Sequence, residues 1–357
     1  MPLTNVKIVP GFNKADTPSG AEGQWIDGDF VRFRYGQPEK IGGFQAIGQE
    51  TISGPTRAQH TWTDLDGKRY AALGTSKALY IYYEDKFYDV TPLDTAITGA
   101  TFSSSQNSNV VTVNKTSHAL DVGEYITFTS VSLPGGGATS FTVADFQNFT
   151  YEIRTAPNAN TFTIQMKTNE TGSGMSAGGG ATINPYQEIG PTIQTYGYGW
   201  GTSTWSRLTW GSGSTTSSVI LDPGSWSLDN FGAQLIATVK DGKTFVWNPA
   251  VSNPLEVRAT IMVNAPTATR LTITSDRDRH VVHFGTETTI GNSATQDPMF
   301  IRFSDQENYS IYQPTSINTA GTFRLDTGNK IVAAVSGKDY NLILTDQAAY
   351  QMQFVGP

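Results

Sequence analysis

The chain holds 357 residues with no cysteine, 38% hydrophobic and 15% charged residues, and a formal charge of −7. The 7 Trp, 15 Tyr and 18 Phe supply core material and argue against a disordered chain; the lack of cysteine excludes disulfides and thiolate metal sites. Apolar runs such as Leu342-Ile343-Leu344 are far shorter than the roughly 18 residues of a membrane helix, and Met1-Pro2-Leu3-Thr4 lacks the pattern of a signal peptide.

No stretch sustains apolar residues at i, i+3, i+4 and i+7, so no long helix is predicted. Short β-branched and aromatic runs recur instead, bounded by Gly, Pro, Asn and Asp, and predict an all-β protein. In chain order they begin with an N-terminal arm over residues 1–48. Hairpin strands follow at Tyr70–Leu73 and Ala78–Tyr83, preceded by the Asp66-Gly67 turn. From 98 to 185 charge thins and Ser, Thr, Gly and Asn dominate. The runs Val110–Val113, Tyr125–Phe128, Tyr151–Ile153 and Thr161–Ile164 read as a small β-barrel or sandwich inserted into a loop, with Gly172–Gly180 flanking its exit.

Residues 49–97 and 186–357 then form one β domain. Its further hairpins are Gln234–Val239 with Lys243–Trp247 across Asp241-Gly242, Val281–Phe284 with Phe300–Phe303, and Lys330–Val335 with Tyr340–Thr345 across Ser336–Asp339. Hairpins repeated at intervals of tens of residues predict a β-propeller-like core. The residues left outside the arm and insert suffice for roughly five blades at about 40–45 residues each. Either the arm closes the ring, or the ring is incomplete in this chain and the natural product continues beyond Pro357.

Catalytic and metal patterns are weak. His280 and His283 have i, i+3 spacing, but on a strand such residues face opposite sides, which favours separate structural roles alongside His60 and His118. Asp27-Gly28-Asp29 reads as turn chemistry rather than a hydrolytic carboxylate pair. Gly197-Tyr198-Gly199-Trp200-Gly201 does not join a strand to a helix, so it is no dinucleotide loop. The sequons at Asn114 and Asn148 are chance matches in Thr-rich sequence. Trp200, Trp205 and Trp210, within Tyr196–Trp210, read as packing or an interface; stacking on sugars or bases is the other reading. The expectation is no catalytic residue, no metal site and no cofactor. No basic run offers a counterion-releasing face for nucleic acid, and Asp276-Arg277-Asp278-Arg279 alternates in sign.

Two blocks of sequence carry more than pattern. One is Pro10-Gly11-Phe12-Asn13 with Gln24–Phe44, containing Arg32-Phe33-Arg34, Gly36-Gln37-Pro38 and Lys40-Ile41-Gly42-Gly43-Phe44. The other is Tyr198–Gly201 through Trp210-Gly211, with Trp226–Gly232 and Lys243–Pro249. Arg302–Asn308, Asn318–Gly321 and Leu342–Asp346 continue the likeness. Together they resemble the short-tailed bacteriophage proteins known as nozzle, tail tubular protein B or packaged-DNA stabilisation protein. The resemblance implies a non-enzymatic virion tail protein, assembled in the host cytoplasm as a homo-hexameric ring below the portal and adaptor. It further implies a lumen that retains and conducts double-stranded DNA without tight binding, and an outer surface that docks tail fibres or spikes. The channel-lining and gating residues are not assigned by it; Asp276–Arg279 is the one gate candidate. A carbohydrate-binding adhesin-type propeller is the alternative.

Overall fold

A computed structural model describes residues 8–43, 45, 51–134, 138–193, 222–250, 255 and 257–356. It forms two compact units, Met1–Glu50 and Thr51–Pro357. The fold is all-β; among the described residues the helical elements are one five-residue α-helix and one 3-10 turn, neither able to cross a membrane.

In the first unit Val9–Phe12 pairs in parallel with Gln24–Trp25, and Val31–Arg34 forms a hairpin with Gln37–Lys40. Tyr35 and Gly36 both take positive φ, at 50° and 79°, as a two-residue hairpin turn requires. Phe12 stands edge-on to Phe33 at 5.3 Å, and Gly28 lies so close to Phe12 that a Cβ would sit 2.6 Å from the ring.

The second unit contains four small antiparallel sheets that stack as propeller-like blades. The first runs Thr56–Thr63, Arg69–Thr75, Leu79–Tyr83 and Lys86–Asp89. The second runs Trp226–Phe231, Gln234–Val239, Thr244–Trp247 and Thr260–Ile261. The third runs Thr269–Thr274, Val281–Thr286, Phe300–Phe303 and Gly321–Arg324, and the fourth Ile331–Ser336, Asn341–Thr345 and Ala349–Met352. Among the described residues four blades stand where roughly five were expected from length. Long connections, such as 304–320 within the third blade, use chain that the length estimate assigned to strands.

Burial patterns explain the stacking. Every residue of Val281–Thr286 is buried, as are five of the six in Gln234–Val239, because both faces of these strands are covered. The end blades alternate instead. Asn341–Thr345 buries Asn341, Ile343 and Thr345 while Leu342 and Leu344 are each 39% exposed. Leu79–Tyr83 likewise buries Leu79 and Ile81 and leaves Tyr80 and Tyr82 half-buried. Period-two alternation marks a sheet covered on one face only.

Between the first and second blades lie Trp62, Tyr70, Leu79, Ile81, Trp226, Leu235 and Trp247. Trp226 donates its indole N–H to the Thr75 carbonyl at 3.0 Å, and Trp62 donates to that of Ala233 at 3.0 Å. Gly74 makes this contact possible, since a Cβ there would sit 2.5 Å from the Trp226 ring. Phe231, Ile236, Met262, Val281 and Tyr312 join the second blade to the third. Val282, Phe284, Ile301, Ile331 and Ile343 join the third to the fourth.

A separate seven-stranded sheet curls into a half-barrel. Its strand order is Tyr151–Glu152, Tyr125–Ser132, Gly178–Pro185, Ile97–Ser104, Val110–Asn114, Thr161–Gln165 and Thr155–Asn158. Gly178–Gly180, read from sequence as part of the exit, open a strand of this sheet because the small residues allow close approach: a Cβ on Gly179 would lie 2.2 Å from the Ser132 carbonyl oxygen. The core is Phe102, Phe128, Phe146, Phe162, Ile126 and Ile164. Phe146 arrives on the helix Val143–Gln147, whose Thr142 cap and Asp145 form a reciprocal capping box.

Under this sheet Glu170 is fully buried. It accepts from the Ser104 hydroxyl at 3.1 Å, the Thr139 hydroxyl at 2.5 Å, the Ser140 N–H at 2.6 Å and hydroxyl at 2.8 Å, and the Gly172 N–H at 2.9 Å. Burial opposes its charge, but the hydrogen bonds from Thr139, Ser140 and Gly172 outweigh it and hold the carboxyl down at about 2.

Two outcomes follow from this packing. Gly74→Ala forces a methyl into the Trp226 ring and should cost about 1–3 kcal/mol of stability, read from urea denaturation. Because Glu170 titrates lower folded than unfolded, its stabilisation is complete above its ordinary value of 4.5 and disappears as pH falls towards 2. The melting-temperature gap between wild type and Glu170→Gln should therefore be wide at neutral pH and close on acidification.

Candidate functional site between the third and fourth blades

The strands Thr269–Thr274 and Val281–Thr286 are joined by a tight turn that contains the gate candidate. Ser275 N–H donates to the His280 carbonyl at 2.8 Å, and Arg279 N–H donates to that of Ser275 at 2.9 Å. Arg279 takes φ +49°. Its guanidinium pairs with Glu307 at 3.2 Å and lies 4.7 Å over the Phe231 ring. Arg277 meets Asp278 at 3.8 Å, and Asp276 N–H donates to the Ser336 hydroxyl at 3.2 Å. The sign alternation seen in the sequence is thus used locally, to pin a turn.

Beside this turn lies a cavity of about 280 Å³. Val282, Phe303, Met352 and Phe354 form apolar walls, His280 and Asn341 contribute polar groups, and Arg277, Asp278 and Asp339 also line it. His280 is 4% exposed; its Nδ1 donates to the Ser304 carbonyl at 2.7 Å, which leaves Nε2 a bare acceptor in the neutral ring, without a partner among the described residues. Asn341 Oδ1 is buried and also lacks a partner. Ser275 and Thr319 bring hydroxyls to the same lining, and among the described residues none of these groups is hydrogen-bonded to His280 Nε2.

His283 faces the other way, into the contact between the second and third blades. A single file of hydrogen bonds runs through it. Thr244 meets Thr238 at 2.9 Å, Thr238 donates to Thr272 at 2.8 Å, and Thr272 meets His283 Nδ1 at 3.0 Å. His283 Nε2 meets the Tyr312 hydroxyl at 3.0 Å, which donates to the Met262 sulfur at 3.1 Å. Every donor in the file is used when His283 is neutral and carries its proton on Nε2. Burial first, and the Arg302 charge second, hold its ring down at about 3. Arg302, 4% exposed, donates to the carbonyls of Tyr312, Glu287 and Thr288. Glu287 is fully buried and accepts from Thr267 and Gly291. These buried charges stand as isolated letters in Thr-rich sequence, and no spacing rule picks them out.

The remaining sequence candidates are dispersed. His60 Nε2 meets Asn230 Oδ1 at 2.8 Å, and His118 Nε2 meets the Asn158 carbonyl at 3.1 Å. Asp27 pairs with Lys14 at 2.9 Å and accepts from Gly28 N–H at 2.9 Å, bonds that hold it below the usual carboxylate range; it serves a turn. Asn114 donates to the Ser103 hydroxyl at 3.0 Å, and Asn148 caps the helix Val143–Gln147. Among the described residues no three His, Asp or Glu side chains group as metal ligands. Gly197–Gly201, Trp200, Trp205 and Trp210 lie outside the described residues.

No protein-family model matches the chain. No curated protein matches it. Among solved structures it is similar to the phage phi92 endosialidase at 13% sequence identity and a TM-score of 0.26. That alignment covers 86% of this chain and 43% of the endosialidase, so the chain spans less than half that protein's length.

Tyr312→Phe strips the His283 N–H of its acceptor in a fully buried site and should cost about 1–3 kcal/mol in urea denaturation at neutral pH. Since His283 titrates lower folded than at its ordinary 6.5, stability should also decline as pH falls from 6.5 towards 3.

Proposed function

We propose that the chain is a structural protein of a short-tailed phage tail, a wall segment of the nozzle ring below portal and adaptor. The observation that carries this reading is the pair of half-covered sheets that end the four-blade stack. At one end Val335, Leu342 and Leu344 are exposed; at the other, Tyr80, Tyr82 and Phe87 are only half-buried. Val335 pairs with Leu342, and Tyr82 with Phe87, so each set is contiguous on its sheet. Such faces suit packing against neighbouring copies, and a head-to-tail contact that closes by rotation gives a ring. The sequence likeness of Gln24–Phe44 and Trp226–Gly232 to nozzle proteins supports the same reading.

In this role the half-barrel of residues 98–185 is an inserted module, carried by a propeller of residues 49–97 and 186–357. The ring would consist of six copies. An excess of Asp and Glu over Lys and Arg, 31 to 24, lets a polyanion pass by weak repulsion rather than capture. Tail fibres or spikes would dock outside.

Electron microscopy and light scattering of the purified chain test this. Six-fold rings are expected from wild type and monomers from Leu342→Asp/Leu344→Asp, with no duplex DNA retained at physiological salt. A wild type that stays monomeric at high concentration, or that holds duplex at sub-micromolar affinity, would overturn the reading.

A further inference from the structure

A second cleft, of about 510 Å³, runs along the first strands of the second, third and fourth blades. Each blade sends it one cation: Lys240 follows Gln234–Val239, Arg270 lies in Thr269–Thr274, and Lys330 precedes Ile331–Ser336. One carboxylate, Asp222, lines the cleft with them. It accepts from Lys240 Nζ at 3.0 Å and lies 3.6 Å from Arg270. Asp241 stands 3.9 Å from the other side of Arg270. Cations still outnumber carboxylates three to two, in a chain whose overall charge is −7.

The Arg270 guanidinium is the central group. Its side chain is 17% exposed, and among the described residues its two carboxylate contacts are both longer than a hydrogen bond. A half-buried guanidinium whose fork is not engaged has donors to offer. The backbone makes room for it. Gly285, opposite on the neighbouring strand, has φ +60°, and a Cβ there would lie 2.9 Å from Arg270 Cβ and 3.5 Å from its Cδ. Lys330 finds no carboxylate within ion-pair distance among the described residues, although its charge reaches Asp222. Ser225 also lines the cleft.

We propose that this cleft binds a phosphate oxyanion, with the Arg270 fork as the main donor, Lys330 and Lys240 as flanking charges, and Asp222 as an internal competitor. A tetrahedral anion suits three cations brought to one cleft by three blades, and the cleft has room for more than the single planar carboxylate already present. The phosphate could be free in solution or part of a nucleic-acid backbone; the chemistry of the cleft is the same for both.

Titration with inorganic phosphate at low ionic strength, followed by phosphorus NMR, tests the site on the full chain. Saturable binding in the millimolar range is expected, weakened about tenfold by Arg270→Gln and several-fold by Lys330→Gln. Asp222→Asn should act in the opposite direction and tighten binding. Lys330→Gln alters an exposed side chain and keeps the test sound if Arg270→Gln fails to fold. A short duplex without terminal phosphates is then added: displacement of phosphate identifies the backbone phosphodiester as the ligand, and no displacement identifies free phosphate or a monoester. Absence of saturable binding in wild type, or equal binding by wild type and both Gln variants, would overturn the proposal.

Discussion

A three- or four-stranded antiparallel sheet has two faces and too little area to bury either by curling on itself. The four sheets of this chain solve that by standing face to face, so that each supplies the cover for the next. A buried aliphatic or aromatic side chain stabilises by about 1.5–3 kcal/mol relative to exposure, and the three inter-blade contacts hold most of the buried Trp, Phe and Ile outside the half-barrel. In the middle blades the second strands come closest to complete burial, all of Val281–Thr286 and five of six residues in Gln234–Val239, because these blades have two neighbours. The outer ones stop at alternation because they have one.

Stacking of this kind resists sliding only if something polar fixes the register. The file from Thr244 to Met262 does so between the second and third blades, since its hydroxyls and imidazole are satisfied only when the two sheets align. Asp229 adds a second fixed point, accepting from Thr274 N–H across the same contact at 2.7 Å. The half-barrel is tied on in the same way. Tyr186, at its end, donates to Asp89 of the first blade and accepts from Arg258 at 2.9 Å, while the Arg258 guanidinium lies 4.6 Å over the Tyr186 ring. Lys77 reaches Glu152 of the half-barrel at 3.0 Å.

The proposed function is geometric. The buried carboxylates Glu170 and Glu287 are each enclosed by backbone and hydroxyl partners, which suits fixing loops rather than moving protons, and Arg302 gives its two terminal nitrogens to carbonyls while its Nε has no partner among the described residues. What is chemically unspent lies in the gaps between blades: the bare acceptors His280 Nε2 and Asn341 Oδ1 on one side, the loosely held Arg270 on the other.

The strands were legible because strand formation is local. Val111, Val113, Phe162 and Ile164 announce their buried face by period two, and Asp241-Gly242 announces its turn through its tolerance of positive φ, realised at Asp241 as 57°. The opposite facing of His280 and His283 follows from the same period. Blade number was not legible, because connections such as 304–320 have the composition of strand-bearing sequence. Nor was the convergence of Lys240, Arg270 and Lys330 with Asp222, residues spread over more than one hundred positions in the chain. By itself, then, the sequence determined an all-β chain of hairpins with a Ser/Thr-rich segment set apart from it. Only the tertiary structure decided which faces stack, which are left bare and which charges meet, since a strand's own residues specify that one side must be covered but not by what.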